Sequence, residues 1–197
     1  PAPQSGCAPA VAALDPVACW RFDEPSGTDL TDGTGNGHDG VYQGGPSFGQ
    51  LGVLGDTTAA LFDGLDDLGR IPDADGLDLG DSFTLEAWVK RSSTAKTHQL
   101  MLRGGNSFQL TVMPASSGSQ VFLRKANVST VVRSSGGVPA DGAFHHVVAT
   151  KNGPHTARIY IDGVDQTVGV SPAQVLQNTA TPMYFGSAGS NAATFDE

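Results

Sequence analysis

A chain of 197 residues is long enough for one large domain with a substantial buried core. Its 26 glycines and its charged fraction of only 16% fit many tight turns better than long amphipathic helices. A formal net charge of -9 argues against sequence-independent nucleic-acid binding and against adsorption to anionic membranes, and leaves carboxylates available for a hard cation.

Residues 1–14 read as an arm or linker ahead of a domain spanning 15–197. The arm has no basic segment before an apolar core, so it is read as a mature or trimmed start and not as an intact signal peptide. No window has the roughly 18 consecutive apolar residues of a membrane span, so membrane insertion is not expected. Cys7 and Cys19, with no CxxC and no neighbouring histidine, predict one structural disulfide in preference to zinc; two free buried thiols are the alternative.

ACWRFDE, with Trp20 and Phe22 on one face, is predicted as the first core strand, stopping at Pro25. The following SGTDLTDGTGNGHDG holds five glycines among aspartates and an asparagine and must be a loop. VYQGG and SFGQLG are short and glycine-bounded, and TTAALFDG opens a central unit. That unit ends in FTLEAWVK, where Phe83, Leu85, Ala87 and Val89 alternate with Thr84, Glu86, Trp88 and Lys90, the period of a strand with one buried face. HQLMLR, SFQLTVM, VFLR, STVVR, FHHVVATK, ARIYID and PMYFGS continue as strands, punctuated by Gly-Gly-Asn, Asn152-Gly153-Pro154 and Asp162-Gly163 turns. About a dozen short strands without a convincing helix predict an all-β sandwich or barrel, and the absence of a repeat argues against a propeller or solenoid.

The order of WRFDEPSGT, DGTGNGHDG, AALFDGLDDLGRIPD, LDLGDSFTLEAWVKR, FHHVVATKNG, ARIYIDGV, PMYFGSAGS and FDE resembles the laminin G-like/concanavalin A-like lectin superfamily, in particular bacterial, pentraxin-related laminin G-like domains. The resemblance runs from about Ala18 to the last residue. It implies a two-sheet antiparallel β-sandwich of jelly-roll type, often with calcium at its edge. Phe144 stands where the family often has tryptophan. The family's last strand also continues beyond an aspartate like Asp196, whereas this sequence stops at Glu197. The expected closing strand would come from the rest of a longer polypeptide or from a strand-donating neighbour subunit.

Calcium is the expected cofactor, as a structural ion. The first loop offers Asp23, Asp32, Asn36 and Asp39, and the resemblance adds Asp196 from the last strand. The alternative is that these side chains cap their own turns. A second acidic group, Asp63, Asp66, Asp67, Asp73, Asp75, Asp78 and Asp81, lacks the EF-hand spacing and is read as solvated turn residues.

Catalysis is not expected. The glutamates are Glu24, Glu86 and Glu197, none in the ExDxxE arrangement of sandwich glucanases, and there is no GxSxG elbow. His145 and His146 are adjacent on a strand, so they face opposite sides and cannot share one ion. Glu86 and Trp88 share the face opposite the core, where Trp88 either lines a ligand platform or is covered by the arm or a loop, the covered state being the preferred expectation. Arg103 and Asn106, in the Arg103-Gly104-Gly105-Asn106 hairpin, are further candidate ligand contacts, by analogy with the edge used in pentraxin-like members. The sequence thus points to a secreted, non-catalytic module that recognises a glycan or an extracellular protein. The alternatives are a subunit of an extracellular filament completed by strand exchange, and an accessory domain of a larger secreted hydrolase.

Overall fold

A computed structural model describes residues 6–53, 57–126 and 128–186. Asp196, the candidate calcium ligand, lies outside the described residues. Within them the chain forms one four-residue helix, α1 (Pro9–Ala12), and fifteen strands. These are β1 (Asp29–Leu30), β2 (Gly40–Gln43), β3 (Ser47–Leu51), β4 (Thr58–Leu61), β5 (Leu68–Ile71), β6 (Ser82–Lys90), β7 (His98–Arg103) and β8 (Phe108–Val112). They continue as β9 (Gln120–Lys125), β10 (Ser129–Gly137), β11 (Phe144–Asn152), β12 (Thr156–Ile161), β13 (Val164–Asp165), β14 (Thr167–Val168) and β15 (Met183–Gly186).

The strands form a nine-stranded sheet in the order β1-β2-β5-β15-β7-β8-β9-β10-β14 and a four-stranded sheet in the order β13-β12-β11-β6, with β3-β4 as a separate ribbon. Neighbouring strands are antiparallel throughout. This is the expected antiparallel β-sandwich, consistent with a jelly roll.

The alternation read from β6 decides how the layers meet. Leu85 and Val89 are buried, Phe83 and Ala87 are partly buried, and the residues between them point away from the core. β11 and β12 repeat the pattern with Val147, Ala149, Ile159 and Ile161. Register aligns Ala149 with both Leu85 and Ile159, so the apolar side chains form rows across the smaller sheet. They belong to the same core cluster as Phe108, Leu110, Val112, Val121, Leu123 and Phe185 of the larger sheet. Each fully buried side chain of this kind contributes about 1.5–3 kcal/mol of transfer free energy.

The predicted first strand needs correction. Residues 18–24 carry no ladder beyond an isolated bridge between Trp20 and Asp32. Phe22 has φ 58, a left-handed backbone that breaks an extended run at a residue whose side chain costs strain there. Its ring is held nonetheless by edge-on contacts with Tyr42, Phe62 and Phe185, and Trp20 makes the same kind of contact with Phe185. The segment therefore packs as a lid of aromatic side chains without sheet hydrogen bonds.

The glycine-bounded stretch after β2 has a specific steric cause. Gly44 has φ +88, and a Cβ there would lie 2.5 Å from the carbonyl oxygen of Asp66. The chain can cross the Asp66–Asp67 backbone at that point only without a side chain.

Candidate functional site

The outward face of the four-stranded sheet is set by the same period of two that builds the core. Trp88 lies opposite His146 across β6 and β11, Glu86 opposite Val148, and Lys90 opposite Phe144. On the other side of β11, Val148 faces Tyr160, which in turn faces Asp165 of β13. Trp88 is 51% exposed. This corrects the preferred expectation that the arm or a loop would cover it: among the described residues, its flat contact is with the face of His146, at 4.7 Å and 15° between planes. The imidazole braces one face of the indole and leaves the rest to solvent. His146 Nε2 lies 3.7 Å from Glu86 Oε2, and the Lys90 ammonium sits 5.3 Å over the ring of Phe144. The result is an exposed aromatic surface with a carboxylate at its margin, the combination that stacks on an apolar ring face and accepts hydrogen bonds from hydroxyls.

Sequence reasoning brought Glu86 and Trp88 together but missed His146, Phe144 and Tyr160. The usable signal was the adjacency of β6 and β11, since a one-residue register choice fixes which side chain stands beside the indole.

His145, on the opposite face of β11, is 9% exposed and lies between two carboxylates, with Nδ1 2.8 Å from Asp162 Oδ2 and Nε2 3.2 Å from Asp141 Oδ1. Burial alone would lower its pKa, but the hydrogen bonds and charges of Asp162 and Asp141 outweigh it and hold the imidazolium above its ordinary 6.5. Asp162 is correspondingly held low, first by the hydrogen bond from His145. A folded pKa above the unfolded one contributes stability that is fully present below pH 6.5 and is lost as pH rises through the folded value. The unfolding midpoint in urea is therefore expected to fall from pH 6 towards pH 8.5, and Asp162→Asn to flatten that slope. A wild-type midpoint that is level or rising over this range would remove the assignment.

The other expected sites are placed differently. Asp32 is 5% exposed, and its carboxylate accepts bonds from the N–H groups of Cys19, Thr34 and His38 and from the Thr34 hydroxyl. Burial opposes its ionisation, but these four donors outweigh burial and hold its pKa below the ordinary value. Asp39 Oδ1 accepts the Asp32 N–H, Asp23 Oδ2 pairs with Arg21 at 2.8 Å, and the Asn36 amide donates to the Val17 carbonyl. These four side chains organise the loop and fasten the N-terminal segment to it. Asp23, Asp32 and Asp39 do not form a group of three carboxylates within 4.8 Å of one another.

Among the described residues, the carboxylates that do converge are Asp63, Asp66 and Asp67, with one ligand atom from each lying within 4.8 Å of the others. Asp67 is 4% exposed; burial, together with the neighbouring Asp63 and Asp66 charges, pushes its carboxyl up against the pull of the Asp63 N–H. The three carboxylates are donors of the right chemistry for a hard cation, which takes 6–8 oxygens from carboxylates, carbonyls and water.

Arg103 is corrected outright as a ligand contact. Its side chain is 1% exposed and forms ion pairs with Asp73 and Asp78, besides donating to the carbonyls of Leu77, Thr179 and Thr181. Asn106 has φ 70 and is tied to Gln177 by both main chain and side chain, so it shapes the hairpin. Cys7 and Cys19 are free thiols here and not the expected disulfide. They are close enough to hydrogen-bond, and burial, with Cys7 alongside, pushes the Cys19 thiol up to about 12, a poor nucleophile in this state.

Known proteins bear on this geometry as follows. No curated protein matches the chain at the level of sequence. Among solved structures, the binding domain of Paraclostridial Mosquitocidal Protein 1 superposes with a TM-score of 0.65 at 13% identity, covering 86% of this chain and 43% of that one. Domain 4 of AbnA, an extracellular GH43 arabinanase from Geobacillus stearothermophilus solved with arabinotriose, gives 0.64 at 19% identity, covering 85% and 82%. The binding domain of botulinum neurotoxin DC, solved with rat synaptotagmin II, gives 0.55 at 13% identity, covering 85% and 42%. The chain thus spans less than half the length of the two toxin domains, and at these identities the likeness establishes the fold alone. The family model for the concanavalin A-like lectin/glucanases superfamily matches residues 63–196, and the chain belongs to that superfamily.

Proposed function

We propose that this domain is a non-catalytic, extracellular carbohydrate-binding module whose ligand lies on the outward face of β6, β11 and β12. The observation that carries the reading is the half-exposed Trp88, braced flat by His146 and flanked by Glu86. A rigid indole of this kind stacks on the apolar face of a sugar ring at little cost in side-chain entropy. The net charge of -9 favours neutral oligosaccharides over sialylated or sulfated ones. Similarity to a domain solved with arabinotriose supports the sugar reading, and similarity to one solved with synaptotagmin II favours a protein surface as the second reading.

A glycan array read in calcium and in EDTA tests the proposal. Binding confined to neutral oligosaccharides is the expected result, and no binding to any sugar overturns it.

Calcium belongs to the same proposal as a structural ion of the domain, supported by the acidic charge and by the convergence of Asp63, Asp66 and Asp67. An ion present at about 100 times its Kd stabilises by about 2.7 kcal/mol. Melting in millimolar calcium is therefore expected about 5–10 °C above melting in EDTA. Equal melting temperatures would remove calcium from the account.

A further inference from the structure

We propose that Asp162, in the turn after β12, is the positioning residue of the Trp88 surface: it holds His146, and through it the indole, in the stacked arrangement. In an antiparallel ladder the N–H and C=O of one residue both point to the same neighbouring strand, and residues that point away from each other form the pairs whose side chains stand closest. The His146 N–H donates to Asp162 Oδ1 at 2.9 Å, and the His146 carbonyl accepts the Asp162 N–H at 2.9 Å. Both main-chain groups of His146 are therefore taken by Asp162, and neither is directed at β6. His146 and Trp88, opposite one another in the register, are in consequence a pair of the close kind, and their rings meet at 4.7 Å.

The residue type at 162 matters for a local reason. Here β12 ends and the chain reverses into β13, with Asp162 at φ 51 and Gly163 at φ 78, the left-handed pair of a tight hairpin. Aspartate tolerates that backbone, and its side chain supplies the acceptor for the His146 N–H at the point where the regular ladder stops. The other carboxylate oxygen, Oδ2, lies 2.8 Å from His145 Nδ1, on the opposite face of β11. One side chain thus serves two adjacent histidines, an ion pair with His145 on one face and the backbone anchor of His146 on the other. An asparagine keeps the acceptor and the turn but cannot pair as an anion with His145, whereas an alanine keeps neither. The consequence for sugar affinity rests on the reading of this face as a sugar site; the control of the ring geometry does not.

Asp162→Ala, Asp162→Asn and His145→Gln separate the two roles. All three remove the charged pair with His145 and are expected to lose stability. Only Asp162→Ala is expected to disturb the stack: nuclear Overhauser contacts between the Trp88 indole and the His146 ring weaken in that variant and persist in the other two. Titration calorimetry with arabinotriose is expected to show affinity about fivefold lower in Asp162→Ala and unchanged in Asp162→Asn and His145→Gln, because the ring pair loses its preorganisation only in the first. The ring contacts decide the positioning role whether or not a sugar binds. Contacts that persist in Asp162→Ala, or that weaken equally in Asp162→Asn or His145→Gln, overturn the proposal. Weakened contacts with unchanged affinity for the sugar leave the positioning role standing and overturn the Trp88 surface as the sugar site.

Discussion

Replacing Arg103 with methionine is expected to lower the unfolding free energy by about 3–5 kcal/mol, the usual cost of removing one member of a buried ion-paired network. The guanidinium ties the end of β7 to two separate segments, the bend carrying Asp73, Leu77 and Asp78 and the stretch carrying Thr179 and Thr181. Without it, three carbonyls lose their donor in the interior and two partly exposed carboxylates lose their partner. In a domain of this size the melting temperature should fall by about 10 °C. Arg103→Lys should recover only part of the loss, because an ammonium keeps the charge but cannot present the planar fork that reaches both segments. Urea unfolding of the three proteins checks this; a loss below about 1 kcal/mol for the methionine variant would show that the network is dispensable.

Replacing Trp88 with alanine should weaken sugar binding about thirtyfold, or about 2 kcal/mol, while leaving the melting temperature within a few degrees of the parent. The asymmetry follows from placement: the indole is 51% exposed and outside the core cluster, so truncating it removes a ligand surface and little packing. His146→Ala should give a smaller loss of the same kind, because it removes the brace and frees the indole to rotate. Titration calorimetry with the strongest array hit, set beside thermal melting of each variant, separates the two effects. Equal loss of stability and of binding would assign Trp88 to the scaffold.

Much of the sandwich was legible because its strands obey simple periods. FTLEAWVK alternates without a fault, and the turns at Gly104-Gly105-Asn106, Asn152-Gly153-Pro154 and Asp162-Gly163 carry residues that favour sharp reversals. β7, β8, β9, β11, β12 and β15 accordingly fall where they were read. The first strand failed because nothing in ACWRFDE announces the left-handed backbone at Phe22; that conformation is imposed by aromatic contacts with Tyr42, Phe62 and Phe185, all distant in sequence.

The site residues divide on the same principle. Alternation places Glu86 and Trp88 on the outward face, yet whether that face is covered depends on loops and arms whose paths have no local signature. Arg103 follows a strand and precedes Gly-Gly-Asn, which reads locally as an exposed hairpin. Its burial comes from segments about 25 residues before and 75 after it, a tertiary effect invisible to any window. Asp32 was recognised as a loop residue, but composition alone does not say whether a carboxylate turns to a cation or to backbone donors, and here the nearby N–H groups of Cys19, Thr34 and His38 take it.

Chemical-shift mapping of the domain titrated with arabinotriose and with the neutral oligosaccharides that bind on the array tests the central claim most directly. Saturable shifts are expected at the Trp88 indole N–H, the His146 ring and the β6 and β11 amides around them. Shifts confined instead to the loop of residues 31–39 or to the Arg103–Asn106 hairpin would contradict it.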